Sequence, residues 1–549
     1  MKPLSRTLGK FIKIELLFFI FFIKKMCGIF ALENCHDSLN IHDYWNKTQH
    51  RGPDNSTSLV CNNNFFGFHR LAINGLNAYG NQPFDRNDII LCCNGEIYNS
   101  QELKQKYNIE TFGNSDCEVI LHLYKKFGIF ETIRLLSGYF AFVLYDKKDD
   151  KYFVGRDPFG VRSLFYGKTV EGNYAWSSEI KSLLGLVLPE TIQCFPTGHF
   201  WSSSSQEFTP YYSYHYNLIP KEKCFQQEAM NKVYSLLEQS VQKRFMTERP
   251  FGVLLSGGLD SCIIAAFVAK FSSAPIHTFS IGLPGSPDLK YAKIMANHLG
   301  SVHHEVIVQP HEMLSVIRRV IYMIESYDVT TVRASIPMFL LAEYIHANTD
   351  IKVIFSGEGS DELSGSYLYF KSAPSPQEFH NESVRLVKDL CFFDCLRCDK
   401  STASWGLEVR CPFLDKEFVD YYMTIPTEWK LPQKSIEKWF LRKSVDRDNL
   451  LPLEILWRRK EAFSDGVSSK EKSWYEIIQD YTEEYFTAHG ESSYIPSHNP
   501  PQSYEAKFYR EVFDRFYPKC EKVIPYYWMP KWSDGVSDPS ARCLENYDC

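Results

Sequence analysis

Apolar and polar positions change rhythm near residue 220. From Cys27 to about residue 215 they come as short alternating or apolar runs between turn residues: CGIFAL (27–32), FFGFHRLAI (65–73), DIILCCNGEI (88–97), GYFAFVLYD (138–146), KYFVGRD (151–157) and NYAWSS (173–178). Successive side chains of a strand point to opposite faces, so this rhythm predicts half-buried β-strands. One stretch among them, Cys117 to Phe127, has helical spacing. Packed antiparallel sheets with a few helices, an α+β layer structure, are expected. From about residue 225 apolar residues recur at three- and four-residue steps (Val233, Leu236, Leu237, Val241, Phe245), as on a helix stripe. The apolar run FGVLL (251–255) follows, and strands at 277–283, 303–308 and 351–357 then alternate with helical stretches. That order predicts a parallel, doubly wound sheet with its ligand crevice at the carboxyl ends of the strands. Beyond about residue 375 the pattern is mostly helical and closes in an aromatic tail, Tyr504 to Trp532.

Composition narrows the function classes. With 549 residues, 44% hydrophobic and 23% charged, the chain holds two or three domains and is not a disordered protein. Its net charge is −6 with no dense basic stripe, so no nucleic-acid partner is expected. Sixteen cysteines at irregular spacing suit a reducing compartment, and the expected location is cytoplasmic. Cys391, Cys395 and Cys398 have the C-x3-C-x2-C spacing that an iron–sulfur cluster can use; three semi-buried cysteines on one helix are the plainer reading. The membrane-like run Leu16 to Ile23 is far short of the roughly 20 residues of a spanning helix. Lys24-Lys25-Met26 then stands where a signal peptide would have its small-residue cleavage site.

Two glycine-rich loops carry chemistry in the second half. Ser256-Gly257-Gly258-Leu259-Asp260-Ser261 lies between a buried strand and a helix, where backbone N–H groups and the helix N-terminus can hold a phosphate. It lacks the G-K-[ST] of a Walker loop. Ser356-Gly357-Glu358-Gly359-Ser360-Asp361-Glu362 follows the strand IKVIF, and its carboxylates are placed to hold Mg²⁺ on a nucleotide or to act as a base. Each loop alone could be a plain turn. Together, at the carboxyl ends of parallel strands, they point to one nucleotide crevice.

The first half offers a nucleophile. Met26-Cys27-Gly28-Ile29 resembles the start of class-II glutamine amidotransferases, which implies that Cys27, as first residue of the mature chain, is nucleophile and base: its α-amine, of reference pKa about 7.7–8.0, can take the thiol proton without a histidine. Around it stand HRGPD (50–54), HRLAI (69–73), NGEIYN (94–99) and Ser115-Asp116. Singly, Arg70 reads as an ion-pair partner and Asn94-Gly95 as a hairpin turn. A glutamine substrate, however, needs a cation for its carboxylate, an acid for its ammonium and donors for a tetrahedral oxyanion.

The second half carries a family resemblance too: SGGLDS resembles the pyrophosphate loop of ATP pyrophosphatases. The wider set TFSIG (278–282), SPDLKYA (286–292), ESYDVTTVRAS (325–335), SGEGSDEL (356–363), WGLEVRCPFLD (405–415) and WRRKEAFSDG (457–466) resembles the asparagine synthetases, and YYWMPKW (526–532) and DPSAR (538–542) their animal-type members.

The resemblance implies a four-layer α+β sandwich of the N-terminal-nucleophile type over residues 27–215. A parallel-sheet α/β domain, adenine nucleotide alpha hydrolase-like, would cover 225–549. Residues 1–26 would be an extension, from a misplaced start or a cleaved leader, with no membrane partner once it is gone. The implied activity is ATP-dependent synthesis of asparagine from aspartate with glutamine as nitrogen donor. It would run through a Cys27 thioester and a β-aspartyl-AMP intermediate, with ATP and Mg²⁺ as cofactors and an apolar ammonia passage between the sites.

By matching position, Cys27 is the implied nucleophile and Asn94 with Gly95 the oxyanion hole. Arg70, Leu71, Ala72, Ile73, Asn74, Asn94, Gly95, Glu96 and Asp116 bind glutamine. Leu255, Ser256, Gly257, Gly258, Asp260, Ser261, Ile281, Ser356 and Gly357 bind ATP, Asp260 and Asp361 hold the metal, and Glu358 and Lys460 are catalytic. Asp394, Leu396 and Arg397 match a D-x-L-R helix, a competing account of the cysteine segment. Homodimer formation is left open. Three positions depart from the family pattern: Ser163 and Thr197 replace prolines and Ser366 a glycine. They are expected to change loop geometry without touching a site group. An enzyme adenylating another acid, as β-lactam synthetase-like proteins do, is the alternative; Cys27, Arg70 and Asp116 speak against it.

Overall fold

In the computed structural model, which describes residues 27–35, 40–223, 225–460, 463–468, 471–490, 496–533, 535–536 and 538–544, alternation along the strands sorts the first half into layers. Six antiparallel strands form one sheet, in the order Gln193–Cys194, Phe165–Lys168, Tyr174–Ser177, Gly28–Leu32, Asn64–Arg70, Asn55–Cys61. Six more form a second, in the order Glu207–Pro210, His199–Ser202, Lys151–Arg156, Gly138–Asp146, Ile89–Ile97, Phe84–Arg86. Ile29, Ala31, Ile90, Cys92, Ala141 and Val143 meet between the sheets. Their alternate neighbours face outward: Phe30 and Leu32 toward Ile41, Trp45 and Ile180, and Leu91, Cys93, Phe140 and Phe142 toward Leu103, Ile120 and Ile133 of the helices beyond. Helix, sheet, sheet and helix make the expected four layers. The helix foreseen at 117–127 runs Val119–Leu135, broken at Gly128 (φ 73°).

The second half holds a five-stranded parallel sheet, in the order Val302–Ile307, His277–Gly282, Phe251–Leu254, Val353–Phe355, Glu408–Arg410. Val253, Val353 and Phe355 pack on one face with residues of helices Gln226–Lys243 and Leu259–Phe271. Phe279, Ile281 and Ile354 pack on the other with residues of helices Ile317–Ile324 and Val329–Asn348. The chain leaves Phe251–Leu254 toward one edge and later returns to its other side at Val353–Phe355. Strand order therefore reverses there, and a crevice opens between the two carboxyl ends. Beyond residue 375 the pattern is mostly helical, as expected, with the strand Glu408–Arg410 among the helices: three residues give no readable period, and only the neighbouring Val353–Phe355 makes them a strand. Residues 1–26, including the apolar run 16–23, lie outside the described residues. Among the described residues no helix is long and apolar enough to cross a membrane.

The two halves share a buried ionic seam. Asp399, in helix Asp394–Ala403, accepts hydrogen bonds from Arg51 (2.8 Å), Arg162 (3.3 Å) and the hydroxyl of Ser163 (3.1 Å). One residue on, Lys400 contacts Glu325 and reaches Glu179 at 3.4 Å. Removing one partner of a buried ion set strands the others, at about 3–5 kcal/mol. Asp399→Ala is therefore expected to lower stability toward urea by about that much, read as a drop in the denaturation midpoint.

Candidate functional site

Both glycine loops leave the parallel sheet at the reversal of strand order and touch. A Cβ on Gly357 would lie 2.8 Å from the amide nitrogen of Ser261 and 2.9 Å from the carbonyl carbon of Asp260, so only glycine permits this approach. The cavity above them, about 240 Å³, is lined by Leu255, Ser256, Gly258, Asp260, Ser261, Ile281, Ser356, Gly357, Glu358, Asp361 and Lys460 of the sequence-predicted set. Gly257 stands apart, in a left-handed turn (φ +72°) against the backbone of Tyr291 and Ala292. Its carbonyl accepts from Arg458 at 2.9 Å.

Lysines bind the two carboxylates together. Lys438 Nζ is 2.5 Å from both Asp260 Oδ2 and Asp361 Oδ1, and Lys460 Nζ is 2.7 Å from Asp361 Oδ2. These ammonium groups hold the Asp361 carboxyl well below the usual carboxylate range, against the effect of burial. Glu358 moves the other way, up to about 7, mainly through burial and in spite of Arg397 at 2.8 Å. Arg397 in turn meets Asp394 at 2.6 Å. Lys438 was not foreseen. It sits in a left-handed conformation (φ 57°) that few lysines adopt, 178 residues from Asp260, and its neighbours form no motif.

The departure at Ser366 needs correcting. Its hydroxyl donates to Asp361 Oδ1, and its amide to the Asp361 carbonyl at 3.1 Å, so it does touch a site group. A glycine has no hydroxyl to offer there. Thr197 pairs with Tyr214 at 2.5 Å.

A second cluster forms where strands Gly28–Leu32 and Ile89–Ile97 end. The Leu71 amide donates to Cys27 Sγ at 3.3 Å, and Arg51 Nε donates to the Cys27 carbonyl at 2.9 Å. Burial pushes the Cys27 thiol up to about 12; the Leu71 amide only partly opposes it. Ala72 donates to Asp54 at 2.8 Å, and the Ile73 carbonyl accepts from Glu248 at 3.1 Å. Asn74 donates to Glu96 at 2.6 Å, and the Ile97 amide to Asp116 at 2.6 Å. Burial raises Glu96, with the Asp116 charge adding to it, and raises Asp116 to about 6. Asn94 is buried, and among the described residues its side-chain N–H₂ has no hydrogen-bond partner. At Gly95 a Cβ would strike the Tyr139 carbonyl oxygen at 2.1 Å. The two terminal nitrogens of Arg70 donate to the carbonyls of Asn74, Gly75 and Asn77 and to the Asn81 side chain. This guanidinium supports the 74–81 loop, which the motif alone did not disclose.

Strand Glu408–Arg410 links the clusters. The Arg410 carbonyl accepts from the Ser356 amide at 2.9 Å, while its guanidinium meets Glu408 at 2.8 Å and reaches Glu96 at 3.6 Å. The cysteine triplet does not converge on one point: Cys391 neighbours Cys194, Cys398 neighbours Cys411, and among the described residues no three His, Cys, Asp or Glu side chains are placed to hold a metal ion.

The fold and both clusters define a two-domain amidotransferase ligase, an N-terminal glutamine amidotransferase domain joined to a nucleotide-type parallel-sheet domain. The glutamine amidotransferase family model matches residues 26–215, and the asparagine synthase model residues 232–378 and 371–536. Asparagine synthetase [glutamine-hydrolyzing] of Cricetulus griseus is 43% identical over 561 residues, covering 95% of this chain and 99% of the relative. The Mus musculus enzyme is 43% and the Homo sapiens enzyme 42% identical, with the same coverage of both chains. The chain belongs to the asparagine synthetase family.

Gly357→Ala is expected to push the two loops apart. Overpacking of about 1–3 kcal/mol corresponds to a rise of roughly five- to 150-fold in KM for ATP, with the circular dichroism spectrum unchanged.

Proposed function

We propose that the chain makes asparagine from aspartate, ATP and glutamine, as the family name implies, with the two clusters as its glutaminase and synthetase sites. The observation that carries this reading is the meeting of the SGGLDS and SGEGSDEL loops at the sheet's reversal point, with two carboxylates already gathered around ammonium groups.

At the first site Cys27 attacks the glutamine side-chain amide and ammonia leaves, giving a thioester. A thiol held near 12 stays protonated at neutral pH and needs a base. Its hydrogen-bond partner is the Leu71 backbone, and the charges acting on it come from Glu408, Arg70 and Glu96. The base in this reading is the α-amine that Cys27 owns as first residue, so residues 1–26 are absent from the working enzyme. The unpartnered Asn94 donor and the Gly95 N–H receive the oxyanion. Glu96 and Asp116, two buried acids that repel one another, favour the substrate ammonium, and Arg70 exchanges part of its carbonyl set for the carboxylate.

At the second site Leu255, Ile281, Ser356 and Gly357 wall the adenosine, and Ser256, Gly258 and Ser261 face the phosphates. The residues fit Mg²⁺: two carboxylates from separate loops already share one cationic group, and oxygen donors plus phosphate suit this ion. Asp260 and Asp361 would hold it, and when bound it neutralises charge on the pyrophosphate. Lys438 and Lys460 add positive charge to the departing group, and Glu358, paired with Arg397 in the cavity wall, takes a proton from the attacking ammonia. The described cysteines are all free thiols, in keeping with the proposed cytoplasmic location.

The test uses protein whose first residue is mapped by mass spectrometry. Protein beginning at Cys27 is expected to form AMP from ATP only when aspartate is present, with either glutamine or ammonia. Cys27→Ala loses the glutamine-dependent rate and keeps the ammonia-dependent one; no aspartate-dependent AMP from folded protein would overturn the reading. Glu358 predicts a pH limb: its folded value near 7 leaves it protonated below that pH, so proton acceptance is lost as pH falls. At fixed free ammonia the rate should fall about tenfold per pH unit below 7, and Glu358→Gln should be slow and flat over the same range.

A further inference from the structure

Arg156 is 1% exposed, yet among the described residues no carboxylate lies within ion-pair distance of its guanidinium. It donates to the carbonyls of Arg162 (2.8 Å), Phe195 (2.8 Å) and Gly160 (3.0 Å), and to Cys194 Sγ at 3.0 Å. The adjacent Asp157 spends its carboxylate on the amides of Phe159, Val161 and Arg162 at 3.0–3.1 Å. A buried cation needs compensating charge; Asp157 supplies part of it through space, and of the four atoms that accept from Arg156 only the sulfur can ionise. Cys391, in the 390–392 turn of the other domain, packs against Gly160, whose carbonyl accepts from the same Arg156 guanidinium that donates to the Cys194 sulfur. Gly160 (φ +64°) makes room for it: a Cβ there would lie 2.6 Å from the Cβ of Cys391. The neighbouring Cys391 thiol and the charge of Arg156 bring the Cys194 thiol down to about 6 against the effect of burial. Cys194 itself is partly exposed, on the edge strand Gln193–Cys194. A thiol beside a cation, in a residue at a sheet edge, is the setting of a reactive cysteine.

We propose that Cys194 and Cys391 form a peroxide-sensitive thiol pair that closes into a disulfide between the two domains. The Cys194 thiolate attacks one oxygen of hydrogen peroxide and the O–O bond breaks. The sulfur becomes a sulfenic acid, and the hydroxide released takes a proton from solvent to leave as water. The Cys391 sulfur then attacks the Cys194 sulfur, its proton going to the leaving hydroxyl. The S–O bond breaks, the S–S bond forms and a second water departs. Two thiols are oxidised by two electrons and one peroxide is reduced to two waters. Cys398 and Cys411, and Cys93 and Cys117, are also neighbouring thiols, but among the described residues no arginine donates to their sulfurs, so they serve as internal controls. The cross-link would fasten the 390–392 turn just ahead of helix Asp394–Ala403, from which Arg397 holds Glu358 and Asp399 holds Arg51.

Reduced full-length protein is treated with hydrogen peroxide, quenched with N-ethylmaleimide, digested and mapped by mass spectrometry. The first disulfide expected is a Cys194–Cys391 peptide pair, lighter by two hydrogens than its reduced parts and reversed by a dithiol. Cys391→Ser should trap Cys194 as a sulfenic acid that dimedone labels, and Cys194→Ser should leave Cys391 unoxidised. At pH 7 iodoacetamide should modify Cys194 about tenfold faster than the partly exposed Cys61. Failure of the linked pair to form, its appearance only after the control pairs, or alkylation of Cys194 no faster than Cys61 overturns the proposal. None of these readouts depends on the enzyme's activity.

Discussion

Asp399 decides how the two domains meet. Its carboxylate is buried among Arg51, Arg162 and Ser163 of the amidotransferase half, and a charge in that position is tolerable only because those donors surround it. Much else hangs from the same point. Arg51 carries on to Glu179 at 2.5 Å and to the carbonyl of Cys27, the candidate nucleophile. Arg162 carries on to the Val409 carbonyl of the edge strand at 3.3 Å. Two residues before Asp399, Arg397 turns to Glu358 in the nucleotide cavity. One helix thus sets the position of a group at each site.

Arg410 completes the connection. Its backbone belongs to the sheet whose neighbouring strand ends in Ser356, and its side chain lies against Glu408 and toward Glu96. The contacts that join the two clusters are therefore charged and hydrogen-bonded, and directional contacts of this kind transmit displacement because few alternative arrangements satisfy them all.

Much of this was legible in the sequence, and what was not has physical reasons. Strands such as Gly28–Leu32 and Gly138–Asp146 show as nearly continuous apolar runs because both of their faces are buried, one between the sheets and one against the helices. Asn55–Cys61 escaped notice because its exposed Ser56, Thr57 and Val60 follow no apolar rhythm, and Glu408–Arg410 because three residues cannot show one. The nucleotide cavity was legible because glycines that permit close approach leave a local mark. Lys438 left none, since its role depends on contacts with Asp260 and Asp361 far off in the chain. The family departures were visible as changed letters. That Ser366 would bond Asp361 and Ser163 would bond Asp399 required the fold.

The ionic seam also bears on whether the halves are modules. Cut between the domains, the N-terminal piece would keep Arg51 and Arg162 but lose Asp399, and the C-terminal piece would keep Lys400 with Glu325 but lose Glu179. Each fragment would present unbalanced charge on a surface shaped to be dry. The two activities are in that sense inseparable: the boundary between them is a shared interior, and a gene split at this junction would have to preserve assembly as well as folding.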